Sequence, residues 1–137
     1  IGNDRALLRA HHFILENQRV EEMVRALEGG DIEEFLSLVN QSGQSSFNYL
    51  QNIYSTHDIE EQGLALALAL SEHFLGGEGA CRVHGGGFGG TIQAYIPIDK
   101  TGEYITFMEK FFGKGSVTPL AVRGVPTLRL DKFIEQL

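Results

Sequence analysis

The chain has 137 residues, 42% of them hydrophobic, and a net charge of −7. That length suits one domain with a real core, and the acidic balance argues against a nucleic-acid or membrane-surface role, since either wants a basic patch. The single cysteine, Cys81, excludes an internal disulfide and a cysteine-built metal site; its apolar surroundings predict a buried small hydrophobe. The longest apolar run, residues 64–70, is far too short to span a bilayer, and no signal peptide is visible, so a cytoplasmic protein is expected. The first residue is Ile1, not Met, and a helical pattern starts almost at once, which suggests a piece of a longer protein.

Ala6, Ala10, Phe13, Asn17, Val20, Val24 and Leu27 alternate at spacings of four and three, one face of a long amphipathic helix that Gly29 and Gly30 end. Asn17, the polar member of this stripe, is expected to be a hydrogen-bonded core or interface asparagine. Asp31 caps a second helix, with Glu34 in the capping-box position and Ile32, Phe35, Leu36 and Val39 as its apolar face. Residues 41–52 read as a polar connection with a short helical turn. A third helix is expected to start near His57 and Asp58, with Glu61 in a capping role, and to run through the Ala/Leu-rich residues 64–70. Gly76, Gly77 and Gly79 break it.

Residues 80–84 and 91–96 read as two strands, the second ended by Pro97. Tyr104, Phe107, Met108 and Phe111 then recur at helical spacing, as a core stripe, until Gly113. Residues 116–123 read as a strand, 124–126 as a turn and 127–130 as another strand, and Asp131 caps a terminal helix. Helices followed by strand, loop, strand, helix and strand predict an α+β domain over residues 1–137, with helices against one face of a mainly antiparallel sheet.

Between the two central strands lie Gly85, Gly86, Gly87, Phe88, Gly89 and Gly90, five glycines in six residues. Such a cluster answers a geometric demand: either a nest of backbone amides for anionic oxygens or the flexible tip of a hairpin. It is not a P-loop, because no Lys-Ser or Lys-Thr follows, and not a Rossmann loop, because a strand pattern follows where a helix is required. Arg82, two residues before the loop, could hold a phosphate or form a structural ion pair. His84 adjoins the loop and is the one histidine whose position argues for function, although a satisfied structural role is as compatible. His11 and His12 are neighbours on a helix and diverge by about 100°. No catalytic constellation is visible and no metal site is expected.

The run Gly79-Ala80-Cys81-Arg82-Val83-His84-Gly85-Gly86-Gly87-Phe88-Gly89-Gly90 resembles the third conserved motif of the GHMP small-molecule kinases, in its galactokinase form. Upstream, Glu16-Asn17-Gln18-Arg19-Val20, Ala26-Leu27 and Gly30-Asp31 with Phe35 and Leu38 resemble the galactokinase run in the same order, and Ser55 matches a further serine. Departures are His84 and Val83 for the usual threonine and methionine, Thr91 for a frequent cysteine, His57 for a proline, and Gly43 for a histidine after Ser42. The resemblance implies a ferredoxin-like antiparallel sheet with helices packed on one face, and the C-terminal domain of a kinase that moves the γ-phosphate of ATP, with Mg²⁺, to galactose or a related sugar. It also implies that the phosphate loop and catalytic aspartate lie in an N-terminal half, the expected partner, and that this chain alone is inactive. Gly85 to Gly90, Phe88 included, with Arg82 and His84 at the entrance, would line the nucleotide and sugar cleft. Rival readings are a GHMP kinase for another substrate, a catalytically inactive sugar sensor, and an independent ligand-binding module.

Overall fold

A computed structural model describes residues 2–122. The elements run α1 (Asp4–Gly29), α2 (Ile32–Ser45), a π-helical turn (Ser46–Leu50), α3 (Gly63–Leu75), β1 (Ala80–His84), β2 (Thr91–Tyr95), a short 3-10 turn (Ile98–Lys100) and α4 (Thr101–Phe112). β1 and β2 form an antiparallel hairpin in which Ala80 faces Tyr95 and His84 faces Thr91. The α+β class is therefore as expected.

The boundaries of α1 follow from its caps. The Asn3 side chain accepts the Ala6 amide, and Gly30, in the left-handed region, returns its own amide to Ala26 and Leu27. The orientation of α1 departs from the expected one. The stripe of Ala6, Ala10, Phe13, Asn17, Val20, Val24 and Leu27 faces away from the rest of the chain, with Phe13 67% exposed, Val20 51% and Leu27 50%. Leu8, His12, Leu15, Glu16, Arg19, Met23 and Ala26 form the face turned inward. Asn17 is accordingly exposed, and its amide donates to the Phe13 carbonyl one turn back.

Helix α2 runs further than its polar sequence suggests. Asp31 caps it by accepting the Glu34 amide, as expected, and the helix continues to Ser45 and then into the π-turn. Serines normally weaken a helix by offering competing local hydrogen bonds. Here Ser42, Ser45 and Ser46 are buried, and their hydroxyls bond Glu16, His12 and Asn52 instead. Conversely, α3 starts late. Ser55 accepts the His57 amide, Asp58 accepts the Glu60 amide, and Gln62 donates to the Ile59 carbonyl, so 57–62 is tied into local turns and Glu61 caps nothing.

The hairpin receives helices from both sides. Val83 is fully buried with Ile53 and Leu64, and Tyr54, Ala65, Leu68 and Ile92 pack around them. Helix α2 lies along the outer edge of β1, where Asn40 accepts the Cys81 amide and donates to the Gly79 carbonyl, occupying an edge that would otherwise stay unpaired. Phe35 of α2 packs edge-on against Tyr95. Cys81 is buried as expected, and burial pushes its thiol up to about 11. Helix α4 packs on α3 through Phe74, Tyr104 and Phe107, and the buried Tyr104 hydroxyl pairs with Ser71 at 2.8 Å. Tyr104 and Met108 of the α4 stripe are buried, whereas Phe111 is exposed.

Residues 116–122 form no strand: the Ser116 amide closes a turn onto Gly113, and Pro119 has no amide to offer a ladder. The expected turn at 124–126, strand at 127–130 and helix from Asp131 lie outside the described residues.

The orientation of α1 and α2 has a direct test. Leu38→Ala, at a position 2% exposed, is expected to lower unfolding free energy by about 2–5 kcal/mol. Val20→Ser, on the outward face of α1, is expected to change it by less than about 0.5 kcal/mol in this chain. Urea titration with an unchanged m-value reads both.

Candidate functional site

The six-residue loop between the paired ends His84 and Thr91 is a hairpin tip built from an unusual backbone. Gly85 (φ 66°), Gly87 (79°), Phe88 (60°) and Gly89 (123°) all take positive φ. For Phe88 this conformation costs about 1–2 kcal/mol that a glycine would not incur. Gly87 rests directly on the Asn52 carbonyl, so that any side chain there would overlap Asn52 backbone. Gly87 thus answers a close approach of two backbones within the chain itself, Gly85 and Gly89 answer the positive φ of the turn, and a side chain at Gly86 would meet open space.

Asn52 holds the loop at two further points. Its carbonyl accepts the Phe88 amide at 2.6 Å, and its side-chain amide donates to the Gly86 carbonyl at 3.2 Å. The Phe88 amide is thereby committed inside the protein. The Phe88 ring, 51% exposed, and Gly89 and Gly90 lie on a broad groove that Ile53, Tyr54, Leu64 and Ile92 also line.

The two residues expected at the loop entrance part company. His84 is exposed and sits beside its cross-strand neighbour, with Nδ1 3.4 Å from the Thr91 hydroxyl. Arg82 is turned into the α1–α2 side. Its NH1 donates to the Ser42 hydroxyl at 2.6 Å and lies 3.5 Å from Glu16 Oε1, and its Nε donates to the Val83 carbonyl. Of the two roles open to Arg82, the structure shows the ion pair.

That pair belongs to a polar cluster that the sequence did not announce. Glu16 accepts from Ser42 and pairs with Arg19, an arginine 8% exposed. His12 Nδ1 lies 2.9 Å from the Ser45 hydroxyl. Burial holds the His12 pKa below its ordinary value; nearby Arg19 and Arg82 lower it further, while Glu16 acts in the opposite sense. The spacing of Glu16 and Arg19, one helical turn apart, carried a signal for this pair. Nothing local joined them to Ser42 or Arg82, which follow 26 and 66 residues after Glu16.

Comparison with curated proteins finds galactokinases. The one from Mannheimia succiniciproducens is 36% identical over 98 residues, 72% of this chain and 24% of the relative. That from Ligilactobacillus salivarius is 39% identical over 100 residues, 73% of this chain and 24% of its own, and that from Streptococcus thermophilus is 36% identical over 104, 76% and 25%. The chain is galactokinase-like. It spans about a quarter of the length of the galactokinases it matches. No protein-family model matches it, and no solved structure does. Among the described residues no helix is long and apolar enough to cross a membrane.

Two measurements probe the glycine loop and the polar cluster beside β1. Gly87→Ala is expected to cost about 1–3 kcal/mol, because both the left-handed backbone and the Asn52 contact must yield. The depressed His12 pKa means that the unfolded chain binds the proton more readily. Its contribution to stability is full above about pH 6.5 and declines as pH falls toward the folded-state pKa. Thermal melts over that range should show the slope, and His12→Gln should flatten it.

Proposed function

We propose that this chain is the C-terminal part of a GHMP-type sugar kinase that transfers the γ-phosphate of ATP to galactose or a related sugar. The galactokinase relatives are the observation that carries the reading. In this reading Gly85 to Gly90 line the cleft between this domain and the rest of the kinase. Phosphoryl transfer is mainly positioning and electrostatics. A loop with one side chain, Phe88, in six residues, held against Asn52 at the edge of a groove, suits close approach to the phosphates of ATP. Arg82 serves by fixing β1 to α1 and α2, and His84, exposed at the loop entrance, is the side chain available to a ligand there. Among the described residues no group of three or more His, Cys, Asp or Glu could hold a metal ion.

The outward face of α1 supports the same reading. Phe13, Val20, Val24 and Leu27 follow one another along the helix at helical spacing and are all exposed. An exposed apolar face of this kind, interrupted by Asn17, marks a contact surface. The galactokinases have about three quarters of their length beyond the matched part, and that remaining chain is the proposed occupant.

The test is ATP-dependent phosphorylation of galactose by this chain, with and without the N-terminal part of its parent protein. Turnover is expected only with both parts. Turnover by this chain alone overturns the division of labour. Turnover only with another sugar reassigns the substrate, and binding of ATP and sugar without turnover makes the protein a sensor. Val20→Asp is expected to weaken reconstitution about tenfold or more, because a charge would be buried in the contact.

A further inference from the structure

Asn52 lies in a stretch whose composition reads as connecting polypeptide, yet it is 3% exposed and each of its polar side-chain atoms has a partner. The π-helical turn Ser46–Leu50 and the left-handed Gln51 (φ 52°) bring the chain round so that Asn52 meets the glycine loop. π-Helical turns are rare and concentrate at functional sites. From one side, Ser46, itself 1% exposed, donates its hydroxyl to Asn52 Oδ1 at 3.1 Å. That bond fixes which end of the amide is the acceptor and aims Nδ2 at the Gly86 carbonyl. From the other side, the Asn52 carbonyl takes the Phe88 amide and supports Gly87. Three consecutive loop residues are therefore shaped by one asparagine, and the left-handed Phe88 between two glycines is held where an unsupported loop would relax.

We propose that Asn52, braced by Ser46, is the positioning residue that sets the shape of the glycine loop for its phosphate-bearing ligand. Asn52 acts through the loop and need not touch the ligand. The ligand half of this inference rests on the kinase reading above; the clamp itself does not.

The experiment has two readouts. The first is hydrogen exchange at the Phe88 amide in this chain. Asn52→Asp keeps the acceptor for Ser46 but sets an oxygen against the Gly86 carbonyl, and Asn52→Ala removes the side chain. Both are expected to speed exchange about tenfold or more, with Ser46→Ala in between. Leu38→Ala, which loosens the α2 core without touching the loop, should stay within about twofold, because loop amides exchange through local opening rather than global unfolding. The second readout is steady-state kinetics in the reconstituted kinase. Asn52→Asp is expected to raise the KM for ATP about tenfold or more, leaving the KM for sugar unchanged. Simple loss of folded protein would lower the maximal rate and leave both KM values alone.

Unchanged Phe88 exchange in both Asn52 variants overturns the clamp. Faster exchange with an unaltered KM for ATP overturns its role in ligand binding. If the wild-type assembly phosphorylates no sugar, the kinase reading falls, and the exchange measurement still decides whether Asn52 shapes the loop.

Discussion

One short strand, β1, has to satisfy three neighbours at once, and the rest of the molecule is arranged around that demand. Alternate residues of a strand point to opposite faces, so Val83 enters the apolar cluster with Ile53 and Leu64 while Arg82 turns toward Ser42 and Glu16. The outer backbone edge is taken by Asn40 of α2. A one-residue slip in register would put Arg82 into the apolar cluster and leave Glu16 and Arg19 to each other, so the register is specified from both faces. The glycine loop leaves a strand that is held on every side, which is why so glycine-rich a segment can still have a definite shape.

The polar cluster beneath β1 joins α1, α2 and β1 by directional bonds. Glu16, Arg19, Ser42 and Arg82 are each satisfied by another member, and their partly buried charges come in opposite signs. Removing one member would leave another desolvated and underpaired, which is costlier than the loss of the bond itself. Such a cluster contributes orientation: it determines which face of α1 turns inward, against the preference that apolar side chains alone would express.

Legibility divides along the same physical line. The hairpin, its glycine tip, the caps at Asp31 and Gly30 and the helix holding Tyr104 and Met108 rest on local rules of periodicity and backbone freedom, and they stand where the sequence puts them. The resemblance to galactokinases was also legible, because its motifs occur in order along the chain. The direction of α1 was not, since helical spacing reveals that a face exists and not what covers it. Nor was the extension of α2 through Ser42 and Ser45, whose hydroxyls are satisfied by residues far away in sequence. Asn52 escaped for the same reason: an asparagine in a polar run is ordinary until Gly86 and Phe88 are found against it.

The lone thiol offers a different use of the fold. Cys81 is the second residue of β1, buried, and burial pushes its thiol up to about 11. A thiol reacts as the thiolate and only when reagent can reach it. With one cysteine in 137 residues, labelling by a thiol-selective reagent would report that strand coming away from α2 and α3. The protein thus contains its own gauge of how often β1 opens, and the labelling rate would follow that opening without any residue being changed.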